Sequence, residues 1–152
     1  MPDSGCEPPI DERWGSYPET VLIFHGDTEV FVDLREPVPP ATRAAFAQMG
    51  LDGTFGILTA FNPCGKDIPA PENHRLREEL EKELRSLDRK FVQVDACSPD
   101  RSHCECSVAL KGDMAGALDI ARRWKQVAIF WWDGSTFWIE GAITDGHLRL
   151  PV

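Results

Sequence analysis

Apolar residues recur along this chain with two different periods, and the places where the period changes mark its elements. Two β-branched and aromatic runs, Thr20 to Phe24 and Glu29 to Val32, flank His25-Gly26-Asp27-Thr28 and predict a hairpin around a glycine-containing turn. Pro37, Pro39 and Pro40 then break the chain before a short helix, about Thr42 to Met49, that stops at Gly50. A strand from Phe55 to Phe61 ends at Asn62-Pro63-Cys64-Gly65, because proline cannot donate to a ladder and glycine permits a tight turn. The clearest helix runs from about Pro71 to Leu87. Proline suits its first turn, Glu72 complements the positive end of its dipole, Leu76, Leu80, Leu84 and Leu87 form one stripe, and Glu78 and Lys82 are spaced to pair.

A short strand from Phe91 to Asp95, a loop at Ser98-Pro99-Asp100 and a strand from about Cys104 to Leu110 follow. Asp113 N-caps a helix that continues to about Trp124. A final hairpin joins Val127 to Trp132 with Phe137 to Gly141 through Asp133-Gly134, and its first arm is apolar on both faces, as a central strand should be. From Phe55 to Trp132 the order strand, helix, strand, strand, helix, strand predicts an α+β fold. Its core is a ferredoxin-like split βαβ (βαββαβ), extended by the N-terminal hairpin with its short helix and by a C-terminal hairpin strand. Residues 1–16 read as a flexible, acidic, proline-containing arm with Trp14 as its anchor, and residues 17–152 as a single domain.

Composition narrows the function classes. The chain of 152 residues carries a net charge of −9, which argues against nucleic acid as a partner, since phosphate binding needs Lys and Arg to neutralise it. Lys66, Arg75, Arg77, Lys82, Arg85, Arg89 and Lys90 alternate with acids, as on a solvated helix face. Val127 to Trp132 is far shorter than the roughly 20 apolar residues of a membrane span, and the acidic N-terminus does not resemble a signal peptide. A cytoplasmic protein with no membrane contact is the expectation. Five cysteines, an odd number in a chain without an export signal, favour reduced thiols over a disulfide framework. Cys64, Cys97, Cys104, Cys106 and His103 are poorly spaced for zinc. They read first as small buried hydrophobes and then as a redox-sensitive thiol, with Cys64 and His103 a remote nucleophile and base pair. The glycines follow no phosphate-binding spacing, and no metal or cofactor is expected. Trp131, Trp132, Phe137 and Trp138 read as cross-strand packing rather than a stacking platform.

The expected strand order has a consequence for chemistry. It places the strand ending at Phe61 between those starting near Cys104 and Val127, antiparallel to both. Thr59 and Asn62 then share one rim with His103, Glu105, Ser107 and Gln126, and the helix starting at Pro71 brings Glu72, Asn73 and Arg75 to it. Such convergence of polar groups beside an apolar sheet is the usual form of a small-molecule site. Glu105, a carboxylate at the start of an interior strand, is the candidate catalytic base or ligand-orienting acceptor, against a salt bridge to Arg75 or Lys66. Asn62 before proline also suits a turn, Gln126 could satisfy a strand end, and Asn73 needs a partner in a ligand or in the Asn62 loop.

The runs Tyr17-Pro-Glu-Thr20, Thr59-Ala-Phe-Asn-Pro63 with Gly65, Glu72-Asn73, Leu80, Glu105-Cys-Ser107 and Gln126-Val-Ala-Ile129 resemble, in order and spacing, the motifs of the bacterial family called domain of unknown function 3293. The resemblance covers about Tyr17 to Ile139. Phe61 stands where that family often has tryptophan, and His103 and Lys125 where tryptophan and glycine are common. The resemblance implies no activity, substrate or cofactor, but it picks out Thr59, Asn62, Glu72, Asn73, Glu105, Ser107 and Gln126, the residues gathered at the rim. Two readings follow. One is a domain that binds a small polar molecule at that rim; the other is a protein-interaction or regulatory module with no small-molecule chemistry.

Overall fold

A computed structural model describes Cys6 and residues 13–152. The expected arm falls largely on residues 1–5 and 7–12, which lie outside the described residues, as does the side chain of Trp14. Arg13–Glu19 form a 3-10 helix, and the chain then enters a mixed α+β fold of three α-helices and one antiparallel sheet. The strands are β1 (Val21–His25), β2 (Glu29–Asp33), β3 (Phe55–Thr59), β4 (Val92–Cys97), β5 (Cys104–Lys111), β6 (Ala128–Trp132), β7 (Phe137–Gly141) and β8 (His147–Arg149). The helices are α1 (Pro40–Gln48), α2 (Ala70–Ser86) and α3 (Met114–Arg123). The sheet order is β2-β1-β4-β5-β3-β6-β7-β8, every neighbouring pair antiparallel. Thus β3 lies between β5 and β6, the placement on which the convergence of polar residues depends.

Alternation along the strands divides the core in two. Phe55 and Ile57 of β3, Ala109 of β5, Trp132 of β6 and Phe137 of β7 turn to one face, where the sheet curls around Phe46 of α1 together with Leu22, Phe24, Leu34 and Leu150. Leu58, Val108, Leu110, Ile129 and Trp131 turn to the other, where Leu80 and Leu84 of α2 meet Ala117, Ile120 and Ala121 of α3. Gly56 is what lets α3 approach: a Cβ there would stand 2.8 Å from the Cβ of Ala117. The aromatic hairpin packs as its composition predicts, with Trp131, Trp132 and Phe137 all buried.

The α2 stripe departs from its leucine reading at both ends. Leu87 is the C-cap and is 56% exposed, while Asn73 and Glu81 are buried with Leu80 and Leu84. The helix pairs are Arg75 with Glu79 and Arg77 and Arg85 with Glu81, in place of Glu78 with Lys82. Each α-helix closes on a residue with positive φ, at Gly50, Asp88 and Lys125. At the end of α3 the Lys125 N–H donates to the Arg122 carbonyl and the Gln126 N–H to that of Ala121, the paired bonds of a Schellman cap. Lysine holds this left-handed position at a steric cost that glycine escapes. Lys125→Gly is therefore expected to stabilise the protein by about 0.5–1 kcal/mol, read as a higher urea midpoint with unchanged slope.

The reduced-thiol expectation is overturned. Cys97 and Cys104 form a disulfide, as do Cys6 and Cys64, and Cys106 is the free cysteine. The reason lies in register: Cys97 and Cys104 are direct cross-strand partners of β4 and β5, a proximity set by pairing that Cys spacing alone does not reveal.

Candidate functional site

The β3–β5 ladder runs from Phe55↔Lys111 to Thr59↔Ser107, whereas the β3–β6 ladder stops at Ile57↔Phe130. Past that point the chain leaves β3 through Ala60 and Phe61 and turns at Asn62, held to the segment that leads into β6 by the Gln126 side-chain amide donating to the Phe61 carbonyl at 3.1 Å and the Cys64 N–H donating to the Lys125 carbonyl at 2.8 Å. A narrow cleft opens where the two strands part. Its cavity volume is about 50 Å³, and it is partly open to solvent. Its walls are the apolar surfaces of Tyr17, Ile57, Ala128, Phe130 and Ile139, and Tyr17 meets Phe130 edge to face at 6.1 Å.

Five of the sequence-predicted site residues line this cleft: Thr59, Asn62, Glu105, Ser107 and Gln126. Thr59 and Ser107 are cross-strand partners, and Glu105, two residues before Ser107, shares its face. The Thr59 hydroxyl donates to the Cys106 carbonyl at 2.7 Å and accepts from the Phe61 N–H at 3.0 Å, which starts the turn out of β3. The Ser107 hydroxyl donates to the Glu105 carbonyl at 3.2 Å. Glu105 is half-buried with its carboxylate 3.7 Å from His103 Nε2. Buried Gln126 spends both amide hydrogens, donating to the carbonyls of Phe61 and Trp124 at 3.1 and 3.0 Å. That orients its Oε1 as the remaining acceptor.

The three candidates on α2 have a different placement, because that helix packs on the opposite face of the sheet. Asn73 is buried against the Asn62 loop. Its Oδ1 accepts from the Asn62 N–H at 2.8 Å, and its Nδ2 donates to Asn62 Oδ1 at 2.9 Å, which also accepts from the Ile68 N–H at 3.2 Å. Of the two partners the sequence leaves open for Asn73, the structure gives it the loop. Asn62 stands at φ 50°, ψ 61°, a left-handed conformation that asparagine tolerates better than most residues, and these bonds hold it there. Glu72 and Arg75 are exposed, Arg75 pairs with Glu79 at 2.9 Å, and neither lines the cleft.

One buried polar group escapes the sequence reading. Glu81, 5% exposed, takes hydrogen bonds from Arg77 at 3.0 Å, Arg85 at 3.2 Å and Gln93 at 3.2 Å to both its oxygens. The signal was present in the spacing: arginines four residues on either side of a glutamate next to the leucine stripe. On the same face Cys106 lies opposite Asp95, whose Oδ2 is 2.9 Å from His25 Nε2. Burial pushes the Cys106 thiol up, with the Asp95 carboxylate adding to the rise and Arg77 opposing it. Among the described residues no group of three or more His, Cys, Asp or Glu is placed to hold a metal ion, and no helix is long and apolar enough to cross a membrane.

Residues 58–129 match the family described as "Protein of unknown function (DUF3293)", which bears out the resemblance over that segment. The match takes in Thr59, Asn62, Asn73, Glu105, Ser107 and Gln126 and leaves Tyr17-Pro-Glu-Thr20 outside it. No curated protein and no solved structure matches the chain.

Proposed function

We propose that the cleft between β3, β5 and β6 binds a small, slim polar ligand. The observation that carries this reading is the early end of the β3–β6 ladder beside Thr59, Glu105, Ser107 and Gln126. A sheet that parts at one rim offers apolar walls and a few fixed polar groups, the common make-up of a small-molecule site. Tyr17 and Phe130 supply the wall for a flat or aliphatic portion of the ligand. The Glu105 carboxylate and Gln126 Oε1 are acceptors, suited to orient an N–H or O–H, and Glu105 is the group able to act as a base. Asn62 serves the site by fixing the rim, since its own amide oxygen is occupied by Asn73 and Ile68. We also read β4-β5-β3-β6, with α2 and α3 as crossovers, as a ferredoxin-like split βαβ core. The neighbour order and the meeting of both helices in one apolar cluster support it.

A thermal-shift screen of the wild type and Glu105→Gln against nucleotides, amino acids, sugar phosphates and small amines tests the reading. A ligand at about 100 times its dissociation constant adds about 2.7 kcal/mol of stability. The expected result is a stabilising compound whose effect is lost in Glu105→Gln, with that variant as stable as the wild type to within about 1 kcal/mol, because Glu105 is partly solvated. Failure of every compound against both proteins would overturn it and favour the protein-interaction reading.

A further inference from the structure

We infer that the Cys97–Cys104 disulfide is a thiol–disulfide exchange site, attacked at Cys104 by a low-molecular-weight thiol of the glutathione class. The two cysteines differ sharply in exposure: Cys97 is 2% exposed, whereas Cys104 is an exposed residue at the start of β5. An attacking thiolate must line up with the sulfur it attacks, so reach selects Cys104 and makes Cys97 the leaving group. Cys106 shares the sheet face of Cys104 and stands one pleat further in. Burial pushes its thiol up, with Arg77 opposing and the Asp95 carboxylate adding to the rise, which makes it a weaker internal attacker than a thiol from solution.

The hairpin that carries the bond has its own support. The Ser98 N–H donates to the His103 carbonyl at 2.8 Å, and Asp100 Oδ1 accepts from the Ser98 hydroxyl, the Ser102 N–H and the Ser102 hydroxyl at 2.8, 3.0 and 2.7 Å. These bonds hold the Asp100 carboxyl down at about 2, so it stays ionised at any working pH. The strand ends therefore stay paired when the sulfurs part, and closure is reversible. Ala96 and Glu105, the register partners beside the disulfide, line the cleft, so this bond clamps one of its walls.

The chemistry balances with the thiol as reductant. Its thiolate attacks Cys104 Sγ and the Cys97–Cys104 bond breaks. The electron pair goes to the Cys97 sulfur, which takes a proton from water. A second thiolate attacks the outer sulfur of the mixed disulfide, forming the oxidised small molecule and releasing the Cys104 thiolate. Two thiols become one disulfide as one protein disulfide becomes two thiols.

The test equilibrates the full chain with stepped ratios of reduced to oxidised glutathione, traps thiols with N-ethylmaleimide and maps labels and glutathione adducts by mass spectrometry. Near-UV circular dichroism is followed in parallel. The expected result is opening of Cys97–Cys104 with the fold retained and adducts on Cys104 at least about tenfold over Cys97 and Cys106. In Cys97→Ser, which lacks the returning thiol, the Cys104 adduct accumulates. Three outcomes overturn the inference: reduction only as the near-UV signal is lost, adducts centred on Cys97 or Cys106, or Cys97 and Cys104 free under oxidised glutathione. Cys6→Ser with Cys64→Ser, tested in the same series, keeps the Cys104 result if the two bonds act separately and loses it if exchange at Cys104 depends on the other bond, which also overturns the assignment.

Discussion

Phe46→Ala is expected to lower stability by about 3–5 kcal/mol, enough to take the melting temperature down by about 6–20 °C for a chain of this size. Phe46 is 1% exposed and stands at the centre of the curled sheet. Its ring lies 5.0 Å from that of Phe24, 5.2 Å from Phe55, 5.3 Å from Trp132 and 6.1 Å from Phe137, so one side chain of α1 touches rings from both halves of the sheet. Phe24 belongs to β1, Phe55 to β3, and Trp132 to β6, with Phe137 beside it on β7. Truncation removes the transfer free energy of the ring and leaves a cavity whose walls are other rings, which cannot collapse without breaking strand pairing. Urea unfolding reads the effect directly, and Phe46→Leu, which refills most of the space, is expected to lose less than half as much. A loss below about 1 kcal/mol for the alanine variant would mean that α1 does not plug the sheet.

Phe46 also marks the boundary of what the sequence makes legible. The helix containing it announces itself through the prolines before it and the glycine after it, because those signals are local. That it plugs the concave face is not local, since it depends on β1, β3, β6 and β7 curling around one point. The strands were readable for the same local reason: Val21–His25, Phe55–Thr59 and Ala128–Trp132 are dense in β-branched and aromatic residues. β8 was not, because His147–Arg149 offers one apolar side chain, Leu148, and three residues carry no period.

The candidate site divides along a similar line. Thr59, Glu105, Ser107 and Gln126 meet at one cleft because antiparallel pairing places strand ends and strand starts at the same rim, a consequence of order alone. Glu72 and Arg75 miss it because a helix crossing over a sheet covers one face, and sequence position does not say which. The cleft itself depends on the β3–β6 ladder stopping at Ile57↔Phe130, a detail of register with no sequence signature beyond Asn62-Pro63. The two disulfides were hidden for a related reason. Counting cysteines speaks of compartment, while their pairing follows from which strands lie side by side.

Asn73→Ala is expected to cost about 2–4 kcal/mol, a large effect for removing one amide from a helix. Two groups lose their partners together: the Asn62 N–H, which donates to Asn73 Oδ1, and Asn62 Oδ1, which keeps only the Ile68 N–H. Both asparagines are buried, at 5% and 6% exposed, so water cannot fully replace what is lost. Asn62 additionally sits in the left-handed region, which costs energy that the bonds to Asn73 now offset. Asn73→Asp separates these contributions. The aspartate still accepts from the Asn62 N–H but sets a carboxylate against Asn62 Oδ1, and rotating the Asn62 amide to relieve this takes the acceptor from Ile68. The aspartate variant should therefore fall between wild type and alanine, with the gap widening as pH rises through the carboxylate range. Hydrogen exchange gives the local readout: the amides of Asn62, Cys64 and Ile68 should lose protection in Asn73→Ala while those of β5 keep theirs. Unchanged protection at Asn62 would show that the αL turn holds without Asn73. A loss that instead spread through β5 would make the amide pair a support of the whole sheet rather than a lock on the rim of the cleft.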